Sequence, residues 1–121
     1  MLPEAHLPLT PPVFQILLSL ADRDLHGYAI ILDVRARTGG DVRLTASTLY
    51  AALQRMLDAG FIEETESRRA GDDPRRRYYR LTKYGRDVAR AEARRHERLI
   101  DMARGKRLLP ATGHPSHGRK S

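Results

Sequence analysis

Thr45–Thr82 reads TASTLYAALQRMLDAGFIEETESRRAGDDPRRRYYRLT. It opens on small hydroxyls and a tyrosine, turns leucine-rich, stops at Gly60, and runs through arginines into two tyrosines. At 100° per residue, Leu49, Ala52, Leu53, Met56 and Leu57 share one face of a helix predicted over Ser47–Ala59. The other face carries Ser47, Thr48, Tyr50, Ala51, Gln54, Arg55 and Asp58. It is short-chained at its start and able to hydrogen-bond throughout, so such a helix can sit deep in a groove. After Gly60, FIEETE and RRRYYRLT read as two strands of a hairpin around a turn rich in Gly71, Asp72, Asp73 and Pro74. Strand alternation sends one of Tyr78 and Tyr79 inward and the other outward.

Working outward, LTPPVFQILLSLAD predicts a helix over residues 11–21. Thr10 caps it, and Pro11 and Pro12 occupy the first turn, where their missing N–H groups cost nothing. Its apolar residues run nearly all round, which predicts a largely buried helix with part of its surface against a second subunit. HGYAIILDVRART predicts a second helix, closed by Gly39 and Gly40 in left-handed C-cap positions. His26, just before it, reads as a packed or hydrogen-bonded structural residue, because no catalytic partner is positioned nearby. A last helix starts behind the cap Thr82, with a near-heptad stripe of Tyr84, Val88, Ala91, Arg95, Leu99 and Met102. The chain from Gly105 mixes Gly, Pro, Ser and basic residues and reads as a disordered tail. This order of elements gives a mainly α fold with a small β-hairpin: a winged helix-turn-helix domain over residues 1–81, a C-terminal dimerisation helix over 82–104, and a basic tail over 105–121.

The net charge of +7 is local. Ser67–Arg80 carries +4 and Arg104–Ser121 carries +5, which leaves the remainder acidic at −2. A concentrated basic patch beside a groove-sized helix is the footprint of a phosphate backbone. Among the arginines, Arg75 and Arg77 are the first candidates for DNA contact and Arg76 the next, with Arg68 and Arg69 also in the run. On the helix, Ser47 and Thr48 suit phosphates or bases, Gln54 suits an adenine edge, and Arg55 suits a guanine edge or a phosphate. Two such modules on a two-fold axis would reach successive major grooves about 34 Å apart and read a palindrome. Val88, Ala91, Leu99 and Met102 are the expected dimer contacts.

The motifs LHGYAI, STLYAALQRMLDAGFIE and DPRRRYYRLTKYG, in this order and spacing, resemble the PadR family of bacterial transcriptional regulators, in its short form with one C-terminal helix. The resemblance covers roughly Leu9 to Ala103. It implies a dimeric repressor of double-stranded DNA, with Tyr50 on the backbone or groove wall and a small-molecule effector site at the dimer interface. The chain departs from the family pattern at Ala46–Ser47, where Pro-Gly is common, at Ala51, where proline is common, and at Thr65–Glu66, where an aromatic residue is common.

Other functions find less support in the residues. No cysteine is present, so thiolate metal sites and disulfides are excluded. His114 and His117 alone make a weak metal pair. Without a phosphate loop or an activated nucleophile, neither catalysis nor a cofactor is expected. No apolar run reaches the ~20 residues of a membrane span, and the N-terminus lacks a leader pattern, so no membrane partner and a cytoplasmic location are expected. The alternative in another class is a winged-helix module that binds protein or RNA without reading DNA.

Overall fold

The computed structural model describes residues 1–66, 73 and 75–111. Arg68 and Arg69, the turn residues Gly71, Asp72 and Pro74, and the end of the tail with His114 and His117 lie outside the described residues. The chain runs from a 3-10 turn (Pro3–His6) through α1 (Pro11–Ser19), β1 (Leu25–His26), α2 (Gly27–Arg37), α3 (Ala46–Asp58), β2 (Ile62–Thr65) and β3 (Tyr78–Leu81) to α4 (Lys83–Gly105).

Each helix starts on a side chain that takes up one of its orphan N–H groups. Thr10 Oγ1 accepts from Val13 N at 3.4 Å, Thr45 Oγ1 from Thr48 N at 3.1 Å, and Thr82 Oγ1 from Gly85 N at 2.9 Å. His26 does the same for α2 through Nδ1, at 3.1 Å from Ala29 N. It is thus an unusual cap, in keeping with the structural role expected of it. Gly39 and Gly40 stop α2 with φ of 60° and 87°, values that side-chain-bearing residues adopt only at a cost.

Val13, Ile16 and Leu17 of α1, Ile30 and Val34 of α2, and Leu49, Leu53 and Met56 of α3 form one core, closed by Phe61, Ile62, Tyr79 and Val88. Each such side chain contributes about 1.5–3 kcal/mol through burial. Arg37 ties α2 to α1 with bonds to the Gln15 carbonyl (3.0 Å), the Gln15 amide oxygen (3.1 Å) and the buried Ser19 hydroxyl (2.7 Å), while Asp33 holds it from behind at 2.7 Å.

The sheet differs from the expected two-stranded hairpin. It has three antiparallel strands in the order β1-β3-β2, with Leu25 opposite Tyr79 and Glu64 opposite Tyr79 on the other side. The added strand is only two residues long. It also corrects the reading of the tyrosines, since both Tyr78 and Tyr79 are 4% exposed. Tyr79 enters the core. Tyr78 faces the other way but is covered by the His26 ring, edge-on at 5.4 Å, and its hydroxyl accepts from Asp73 N.

α4 is about 34 Å long at 1.5 Å per residue. Gly85, Val88, Ala91 and Glu92 bury its first half against the domain. The buried Glu92 carboxylate accepts from Leu9 N at 3.0 Å and from Arg95 at 2.6 and 3.1 Å, so it anchors both the N-terminal arm and its own helix. Farther along the arm, the His6 ring bonds the Tyr84 hydroxyl at 2.6 Å. The second half projects Leu99, Ile100 and Met102 into solvent at 46%, 41% and 63% exposure. The single heptad stripe expected of this helix is therefore two surfaces. Val88 (0% exposed) and Ala91 (3%) are used within the protomer's own core and have no surface left for a dimer, whereas Leu99 and Met102 remain free of the domain. A closing turn with Arg107 at φ 63° and a Leu108 N–Ala103 O bond of 2.9 Å carries ordered chain past the expected helix end.

Candidate nucleic-acid interface

The helix that sequence periodicity singles out presents the expected face. Ser47, Thr48, Tyr50, Ala51, Gln54, Arg55 and Asp58 are all exposed, and Leu49, Ala52, Leu53 and Met56 are buried behind them. At its start, Thr45 Oγ1 bonds Thr48 Oγ1 at 3.0 Å and approaches Ser47 Oγ at 3.3 Å, a compact hydroxyl cluster that keeps this end of α3 slender. Gln54 donates from Nε2 to Asp58 Oδ1 at 3.0 Å, which orients the amide along the helix. Arg55 makes no ion pair with any described residue.

Arg75, Arg76, Arg77 and Arg80 are all engaged with carboxylates. Arg75 binds Asp73 at 3.2 Å and Arg76 lies 3.8 Å from the same side chain. Arg77 pairs with Glu64 at 3.3 Å and Arg80 with Glu63 at 3.2 Å. The Arg75 backbone N–H and guanidinium hold the Asp73 carboxyl below the usual carboxylate range. Arg75 and Arg77 expose 87% and 76% of their side chains. Such surface pairs are worth little in water, about 0–1 kcal/mol each, so a phosphate can displace them. Arg76, placed behind its neighbours as a candidate, also turns toward α2: its Nη1 lies 3.0 and 3.1 Å from the two His26 ring nitrogens.

These two parts meet in one cleft. Tyr50 on α3 faces Arg76 and Arg77 across about 280 Å³, with the start of α2 (His26, Gly27, Tyr28) and the ring of Tyr79 completing the walls. The close approach of α2 to α3 depends on Gly27. A Cβ there would lie 2.5 Å from the Tyr50 hydroxyl oxygen and 3.2 Å from Leu49 Cδ2. Thus the site residues Tyr50, Arg76 and Arg77 are brought together. Ser47, Thr48, Gln54 and Arg55 continue along the exposed face of α3, while Arg75 borders a neighbouring groove with Glu64, Thr65 and Glu66. Sequence reasoning missed Gly27, Tyr28 and Tyr79 as parts of this cleft. The signal was present in LHGYAI and YYRLT, which carried the family resemblance but were read only for fold.

No helix among the described residues is long and apolar enough to cross a membrane. Residues 16–91 match the model of the transcriptional regulator PadR-like family. Over 70 residues the chain is 33% identical to an uncharacterized protein of Lysinibacillus sphaericus, covering 58% of this chain and 63% of that one, just under two thirds of its length. Among solved structures, a PadR family transcription regulator from Clostridium difficile superposes with a TM-score of 0.67 at 29% identity, covering 83% of this chain and all of the other. A transcriptional regulator from Clostridium thermocellum gives the same TM-score at 28% identity, with 81% and 90% covered. The matched segment runs from α1 into the first half of α4 and takes in both the exposed face of α3 and the arginines that meet it, and the chain belongs to the PadR-like family of transcriptional regulators.

Proposed function

We propose that the protein is a sequence-specific DNA-binding regulator that acts as a homodimeric repressor on a palindromic operator. The observation that carries this reading is the cleft in which Tyr50 of α3 faces Arg76 and Arg77 of the wing, the β2–β3 hairpin. A helix seated in the major groove and a cation pair beside it reach base edges and the adjacent backbone from one rigid body. Ser47, Thr48, Gln54 and Arg55 are the base- and phosphate-reading side chains on that helix, and Arg75 adds charge at the wing's edge.

The dimer reading draws on the outer half of α4. Leu99, Ile100 and Met102 leave an apolar strip in water, and Leu18 of α1, at 39% exposure, adds to the apolar surface that a second copy can cover. A dimer across a promoter blocks polymerase without further machinery, and the space between the paired helices is where a small-molecule effector would act. The test is selection of bound fragments from genomic DNA with the purified protein at defined salt. Enrichment of a sequence with dyad symmetry supports the reading. Uniform weak retention of all fragments, or of any polyanion, would favour a module that binds protein or RNA instead.

A further inference from the structure

Tyr79 is 4% exposed, yet its hydroxyl makes no hydrogen bond to any described residue. A buried hydroxyl nearly always has a partner, and one without a protein partner points to a role beyond the fold. The side chain lines the cleft between α3 and the wing. Burial raises its pKa, and the charge of Glu64 adds to that, so at neutral pH it stays a protonated donor that lies near Tyr50 and Arg77. Tyr50 contributes a second hydroxyl with no hydrogen bond to a described residue, held over Gly27. The first turn of α2 lines the cleft at Gly27 and Tyr28, and its N–H end, with Ala29 N bonded to the His26 ring, carries partial positive charge. Arg76 and Arg77 supply full charges at its rim. Two hydroxyl donors, a helix start and two guanidiniums around one concavity are complementary to a tetrahedral anion.

We propose that this cleft seats a single backbone phosphate of the bound duplex and that the Tyr79 hydroxyl is one of its hydrogen-bond donors. The assignment rests on the DNA-binding reading above and makes it local. Glu64, which holds Arg77 at 3.3 Å in the free protein, is the carboxylate that phosphate displaces.

The test uses Tyr79→Phe, which removes one oxygen, and a duplex taken from the genomic selection. The variant is expected to bind that duplex about five- to thirty-fold more weakly at fixed salt, from loss of one charge-assisted hydrogen bond. It should melt at the same temperature or higher, because the lost hydroxyl had no protein partner. Single methylphosphonate substitutions scanned through the duplex should reveal one position at which the loss is smaller for Tyr79→Phe than for the wild type, by the share that the hydroxyl supplied. Equal affinity of the two proteins overturns the proposal, as does equal loss at every scanned phosphate. A melting temperature lowered by several degrees overturns it too, since the hydroxyl then had a structural bond. If the wild type selects no duplex, the DNA reading falls and this proposal with it; tight binding by both proteins sinks this proposal alone.

Discussion

Gly85→Ala is the substitution with the largest expected effect on the fold. Gly85 lies in the first turn of α4, where a Cβ would overlap the Phe61 carbonyl oxygen and sit 2.7 Å from its carbon and 3.0 Å from Phe61 Cα. These are backbone atoms, and Phe61 is fixed by its own N–H bond to Met56 O at 2.9 Å and by burial of its ring. The first turn of α4 must therefore lift. Lifting it breaks the Thr82 N–Phe61 O bond (3.1 Å) and the Thr82 Oγ1–Gly60 O bond (2.6 Å). Two such bonds contribute about 2 kcal/mol together, residual overpacking adds about 1–3 kcal/mol, and the better helix propensity of alanine returns at most about 1 kcal/mol. A net loss of about 2–4 kcal/mol lowers the melting temperature of a domain this size by about 10–15 °C. Thermal unfolding followed by circular dichroism, at one protein concentration for both chains, measures it. A midpoint within about 2 °C of the wild type would refute the reasoning about this contact.

Gly27→Ala should separate stability from binding. The severe contact is with the far end of the half-exposed Tyr50, which can swing aside, and Leu49 Cδ2 at 3.2 Å need give only a little, so unfolding free energy changes by less than about 1.5 kcal/mol while affinity for a selected duplex falls at least about five-fold through loss of one hydrogen bond; unchanged affinity would remove Tyr50 from the interface. The hydrogen bonds from Arg95 hold the Glu92 carboxyl below the usual carboxylate range. Its contribution is therefore complete above the unfolded value of about 4.3 and is lost as pH falls through the lower folded value. Glu92→Gln should flatten that acid limb in a pH series of urea melts, and an unaltered limb would contradict the assignment. Leu99→Asp places charge on the exposed strip of α4 and should shift the particle from dimer to monomer in sedimentation velocity without lowering the monomer's helicity. A wild type that sediments as a monomer at high concentration would end the two-fold reading.

Much of this architecture was legible because caps and stops act locally. Thr10 and Thr82 are caps in both readings, and Gly39–Gly40 end α2 where the glycine pair said. The two faces of α3 followed from helical periodicity alone. Other features depend on which elements meet, and periodicity carries no record of that. β1 is two residues long, below the length at which alternation can be seen, and its arrival beside β3 is what covers the outer tyrosine. Val88, Ala91, Leu99 and Met102 share a spacing, but the domain ends partway along α4, so the first two are core and the last two surface. Arg95, awkward on an apolar seam, is explained by Glu92 one turn earlier. The cleft was the hardest to foresee, since Gly27, Tyr50 and the Arg76–Tyr79 stretch come from three separate parts of the sequence.

The proposed function requires α3 and the wing to grip one duplex together. Hydroxyl-radical footprinting of a genomically selected duplex, with the wild type beside a variant carrying Arg76→Ala and Arg77→Ala, tests it most directly. The wild type should protect two backbone clusters per half-site, repeated by a dyad about 34 Å away, and the double variant should lose the wing's cluster while weakened protection by α3 persists. A wild-type pattern with no dyad, or one that the double variant reproduces in full at the same salt, would contradict the account.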